Sequence, residues 1–171
     1  MKTKALWIAL VLLAVPAAAS AQISLDQLKK GASDAGKGVV EKRVNTKLTD
    51  EARKNQCSFK SGTDTLEAGC DKKLKNLANA LIEAKKQLDT AGAKSYKFEV
   101  SGHTDSSGDA AQNKALSEKR AEVIVKELVA RGVQRSEIIA VGRGSEQMLV
   151  KPDDTAAKKA KNRRYEIQVR L

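Results

Sequence analysis

The sequence predicts an α/β fold in which two long amphipathic helices cover one side of a four-stranded sheet. Three observations carry that prediction. Leu74, Leu77, Leu81 and Leu88 recur at intervals of three, four and seven, the period of a helix with one buried face. Leu116, Val123, Val125, Leu128 and Val129 mark a second such helix. Between and after them, Tyr96–Val100 and Arg163–Leu171 alternate apolar and polar residues, as half-buried strands do. A helix stripe and a sheet face each need cover, and stacking them in two layers covers both.

In chain order, Lys2 and Lys4, the apolar run Ala5–Val15 and the small residues Ala19-Ser20-Ala21 read as a signal peptide over 1–21. Cleavage before Gln22 leaves 150 residues. The run is shorter than the ~20 residues a spanning helix needs. No cysteine follows the cleavage site to carry a lipid. The mature chain is therefore expected to be exported, with no integral membrane span.

Residues 22–55 mix eight basic with five acidic side chains. Ser24 is a candidate N-cap for a helix that begins with Leu25 and Leu28. Gly31, Gly36 and Gly38 weaken it by ~1 kcal/mol each relative to alanine, and Val39, Val40, Val44 and Leu48 resume an apolar stripe. The expectation is a basic, partly helical linker without its own core. It would tether the domain or dock on the outer membrane or on an envelope protein.

The domain then runs over 56–171. Cys57–Lys60 is expected as a first strand with Phe59 inward, and Glu67–Leu88 as the first long helix, stopped by Gly92. Tyr96–Val100 is the second strand, Ala111–Arg131 the second helix, stopped by Gly132. Ile138–Val141 is the third strand, 150–160 a polar, lysine-rich and mobile connection, and Arg163–Leu171 the last strand. Tyr165, Ile167, Val169 and Leu171 would share one face of it. With only 3% aromatic residues, the core must rest on Leu, Ile, Val and Ala.

Cys57 and Cys70 are the only cysteines. In an exported chain they read as one structural disulfide. It would close a loop of 14 residues, contributing ~3 kcal/mol in chain-entropy terms. Their spacing and the single His103 make no zinc pattern, so neither metal nor cofactor is expected. The formal charge of +11, about +9 without Lys2 and Lys4, is of the kind that suits nucleic acid. Export removes that partner. Acidic lipid headgroups, lipopolysaccharide or an anionic cell-wall polymer remain.

Catalysis is not expected. A nucleophile elbow is missing, and Asp105 and Asp109 share one polar turn without apolar surroundings to raise a pKa. His103 is expected to pack beneath that turn and bond backbone. Binding is another matter. Asp105 sits in the turn after the second strand and Arg120 on the following helix, 15 residues later. Together they offer an acceptor for an ammonium and a planar fork for a carboxylate.

The stretch Gly102-His103-Thr104-Asp105-Ser106-Ser107-Gly108, then Asn113-Lys114-Ala115-Leu116-Ser117-Glu118-Lys119-Arg120-Ala121, resembles the signature G-H-T-D-x-x-G, N-x-x-L-S-x-x-R-A-x-x-V of OmpA-like peptidoglycan-binding domains (the OmpA C-terminal, Pal and MotB types). Asn162-Arg163-Arg164-Tyr165-Glu166-Ile167 resembles their N-R-R-V-E-I ending. The matches run from about Cys57 to Leu171. The resemblance implies a βαβαβ-β sandwich with a mixed four-stranded sheet. It also implies non-catalytic binding of peptidoglycan through the diaminopimelate of its peptide stem, in the periplasm or at the outer membrane of a Gram-negative bacterium. Asp105 would hold the ammonium and Arg120 the carboxylate. Asn113 and Arg164 would line the same groove, and Thr104 would shape its loop. Two departures fall on the rim: Gly144-Ser145-Glu146-Gln147-Met148 lacks a proline the family often has, and Lys158-Lys159 stands where Gly-Arg is usual.

Overall fold

In the computed structural model the described residues are 25–171, with side chains described from Gly36 onward. The expected signal peptide over 1–21 lies outside them. Among the described residues no helix is long and apolar enough to cross a membrane.

Helix α1 (Leu25–Lys54) is followed by α2 (Asp71–Thr90), β1 (Lys97–His103), α3 (Ala110–Val129), β2 (Ile138–Gly144), a short α4 (Ala156–Asn162) and β3 (Tyr165–Arg170). The sheet is mixed. β1 lies in the middle, parallel to β2 and antiparallel to β3. The inward residues Phe98, Val100, Ile138, Ile167 and Val169 meet Leu74, Leu77 and Leu81 of α2 and Ile124 and Leu128 of α3 in one core. Both long helices stop where expected, at Gly92 (φ 76°) and Gly132 (φ 100°), backbone angles that favour a residue without Cβ. The 150–160 connection is more ordered than expected: the Thr155 hydroxyl accepts from the Lys158 N–H and caps α4. Leu171 falls beyond β3 and is exposed.

α1 departs most from the sequence reading. It is one helix of 30 residues, unbroken at its glycines. Val44, Leu48 and Ala52, spaced by four, are 1%, 2% and 1% exposed and belong to the shared core. From Val40 onward this segment is therefore a packed helix and not a loose linker. Burying a Val or Leu side chain is worth about 1.5–3 kcal/mol, enough to offset what the glycines cost.

The same helix explains the missing first strand. Phe59 makes only an isolated bridge with Leu66, inside the loop that the Cys57–Cys70 disulfide closes. It does not enter the sheet, which has three strands. The outer edge of β3, where a further strand would pair, is taken by two side-chain amides. Asn45 accepts from the Val169 N–H (2.7 Å) and donates to the Val169 carbonyl (3.2 Å). Gln56 does the same at Tyr165, at 3.2 and 2.8 Å. Each amide reproduces both bonds of a ladder rung.

Where α3 crosses the ends of β1 and β2, at Gly102 and Gly142, it rests on the strands without strand side chains between them. Gly102 and Gly142 face each other across β1 and β2. A Cβ on Gly102 would lie 2.1 Å from the Ser117 carbonyl oxygen, and one on Gly142 2.5 Å from that of Lys114. The buried Ser117 hydroxyl donates to the Lys114 carbonyl and accepts from the Gly144 N–H. This contact fixes the helix against the ends of β1 and β2.

A braced cleft at the end of the central strand

β1 ends at His103 and delivers Thr104 and Asp105 into a turn that is pinned on every side. The Thr104 N–H donates to the Gly144 carbonyl. Ser106 donates its N–H and hydroxyl to Asp153, which also accepts from the Asn162 amide at 3.1 Å. These bonds, the Ser106 hydroxyl first, pull the Asp153 carboxyl down to about 2. From α3, Asn113 donates to the Ser107 carbonyl at 2.7 Å, and Asp109 caps the helix by accepting from Gln112.

Asp105 is largely buried, its side chain 12% exposed. One oxygen accepts from the Ser107 N–H (3.0 Å), the other from Arg163 Nη1 (2.7 Å). Burial pushes its pKa up, but the Arg163 guanidinium and the Ser107 N–H and hydroxyl outweigh it and hold the carboxyl below its ordinary value.

Arg120 is held differently. Its Nε donates to the Thr63 carbonyl at 2.9 Å, and its guanidinium lies 5.1 Å over the Phe59 ring. The disulfide-closed loop is thus its cradle. Its neighbours there are neutral carbonyls and a ring, so its charge is not cancelled by a contact carboxylate.

Thr104, Asp105, Asn113, Arg120 and Arg164, the five residues singled out from the sequence, all line one cleft of about 990 Å³. Arg163 and Phe59 line it too. Arg164 is already occupied, bonding Glu166 at 2.7 Å and the Gln147 carbonyl at 3.1 Å. Asn162 is a fully buried latch that binds the Leu149 and Val150 backbone. The Thr104 hydroxyl is buried and has no hydrogen-bond partner among the described residues. Sequence reasoning passed over Arg163 as Asp105's partner. Of two adjacent arginines before a strand, alternation sends one to each face, and only the register tells which.

His103 does not bond backbone through its ring as expected. It is 2% exposed, with Nε2 3.3 Å from the Ser101 hydroxyl and 3.9 Å from Glu166. Burial, then the charge of Arg164, lowers its pKa to about 4. A folded pKa depressed below the unfolded value near 6.5 gives stability that is complete above pH 6.5 and lost as pH falls toward 4. At ~1.4 kcal/mol per unit, the loss is on the order of 3 kcal/mol. Urea titrations at pH 7 and pH 4.5 should show that loss in the parent and a much smaller one in His103→Gln. Equal losses in both would move the effect to other groups.

The comparisons with known proteins bear on the family and the fold. The profile of the OmpA family matches residues 58–163. The chain is 48% identical over 71 residues to outer membrane porin F of Pseudomonas fluorescens, covering 42% of this chain and 22% of that protein. It is 41% identical over 70 residues to the peptidoglycan-binding protein ArfA of Mycobacterium tuberculosis, covering 41% and 21%. The probable lipoprotein YiaD of Escherichia coli is 34% identical over 113 residues, covering 66% and 47%. The chain thus spans about a fifth of the first two relatives and about half of the third. Among solved structures, the peptidoglycan-associated lipoprotein of Burkholderia pseudomallei superposes with TM-score 0.55 at 23% identity, over 67% of this chain and 89% of that one. The periplasmic domain of Helicobacter pylori MotB gives 0.55 at 19%, over 66% and 69%. At these identities the structures speak for the fold alone. The profile match covers well over half of the sequence, and the chain belongs to the OmpA family.

Proposed function

We propose that this chain binds peptidoglycan without catalysis, taking the diaminopimelate of the peptide stem into the cleft. The observation that carries the reading is that Asp105 and Arg120 line one cleft from two separately braced elements. A zwitterionic amino-acid end meets both. Asp105 accepts two hydrogen bonds already, and a carboxylate has about four lone-pair sites, so an ammonium has room beside Arg163. Arg120 leaves most of its five N–H groups for a carboxylate. In this reading Asn113 and Arg164 shape the walls. Residues 1–21 direct export, 22–55 extend the wall-binding unit 56–171, and the protein works in the periplasm or at the outer membrane of a Gram-negative cell, linking its layers.

The test is retention on purified sacculi. Hydrogen bonds to charged groups contribute about 1.5–3 kcal/mol each, so Asp105→Asn and Arg120→Lys should each weaken binding roughly tenfold or more. Sacculi whose diaminopimelate carboxylate is amidated should bind the parent equally poorly. If both variants were retained like the parent, diffuse positive charge would explain binding and the cleft would not.

One observation favours a second role beside this one. Val39 is 70% exposed on the part of α1 that runs ahead of the family match. An outer-membrane or envelope protein contacting 22–55 would cover it. Cross-linking from position 39 in intact cells distinguishes the two, since sacculus binding alone leaves that position free.

A further inference from the structure

The cleft is larger than one amino-acid end group needs. Its volume of about 990 Å³ is at the upper end of the roughly 300–1,000 Å³ that accommodates a drug-sized molecule. One of its walls comes from outside the family match, which begins at residue 58: Thr49, Ala52 and Arg53, on the last turns of α1, line it. That wall is fastened. The Tyr165 hydroxyl donates to the Asn55 carbonyl, and the Gln56 amide bonds both the Tyr165 backbone and the Ala52 carbonyl.

The charges of the cleft are unequal. Asp105 is paired with Arg163 and Glu166 with Arg164, each at 2.7 Å. That leaves Arg53, Arg120 and Lys161 against Glu67. Arg120 is used by the reading above. The Arg53 side chain is exposed and makes no hydrogen bond or ion pair among the described residues. A cation on a rigid wall of a cation-rich cleft suits an anion.

We propose that α1 adds a second, anion-binding subsite to the cleft, in which Arg53 holds the carboxylate of an acidic residue adjacent to the zwitterionic one. The inference rests on the cleft's taking a stem peptide and names the part of that peptide beyond diaminopimelate: a glutamate with a free α-carboxylate. Residues 22–55 then contribute to specificity and not only to attachment.

Binding of two synthetic tripeptides to the full chain, followed by NMR titration, tests this. Both are alanyl-γ-glutamyl-diaminopimelate, one with the glutamate α-carboxylate free and one with it amidated. An exposed ion pair is worth up to about fivefold. Arg53→Gln should therefore weaken the free acid by about that factor and leave the amide unchanged. The amide should bind the parent no better than the free acid binds Arg53→Gln. If Arg53→Gln bound both peptides like the parent, or lost both equally, the second subsite would be wrong. Asp105→Asn separates the two ideas: undiminished binding of both peptides by that variant overturns the cleft reading itself.

Discussion

Gly102→Ala should cost the domain about 3 kcal/mol or more, in the range where single substitutions are diagnostic of a named clash. The new Cβ would sit 2.1 Å from the Ser117 carbonyl oxygen and 2.9 Å from its carbon. These are main-chain atoms in the middle of α3, so no side-chain rotation relieves them. The helix must lift off β1, which also breaks the bond between Ser117 and the Gly144 N–H. Gly142→Ala, 2.5 Å from the Lys114 carbonyl oxygen, should behave alike. Gly36→Ala is the control. It has nothing within 4 Å of its Cβ and lies within α1, so it should stabilise by about 0.5–1 kcal/mol. Urea midpoints at constant slope report all three. A Gly102→Ala protein with the parent's midpoint would mean that α3 does not lie on the sheet as described.

Leu48→Ala should lose about 2–5 kcal/mol, the usual range for emptying a fully buried leucine site. Leu48 is 2% exposed and packs with Val44 and Ala52 into the common core. A chain starting at Gln56 should lose still more, because Asn45 leaves the Val169 backbone along with the apolar stripe. Thermal unfolding and amide exchange at Val169 measure both changes. Full-length stability in the shortened chain would return 22–55 to the status of a tether.

That second result bears on what could be read from sequence. The two long helices and the Gly102–Gly108 turn were legible because each has a strong local signature: a leucine period, a glycine stop, a strand running into a polar turn. α1 was not. Val40, Val44, Leu48 and Ala52 form one stripe among glycines and lysines, and its stability comes from the core it joins, which no local pattern records. The first strand failed for a related reason. Cys57–Lys60 has strand-like residues, but β3's edge is occupied by Asn45 and Gln56, which are distant in sequence from Val169 and Tyr165. At the cleft, the sequence placed Asp105 and Arg120 on the right elements, and all five residues it named line one cavity. It missed the Asp105–Arg163 pair because pairing depends on register. It also missed the Arg120 cradle, whose carbonyl acceptors could have been any loop's.

The two amides on β3 also have a consequence for solubility. A sheet edge with free N–H and C=O groups is a template for another chain's strand, and proteins shield such edges to avoid aggregating. Here the shield is not a strand, a bulge or a charge but two carboxamide side chains standing eleven positions apart, bonded at Tyr165 and Val169. An amide on α1 and another just past its end occupy the edge at these two residues while offering no strand of their own to pair with the next molecule. Covering the edge this way ends the sheet where a further strand would only have moved the exposed edge outward.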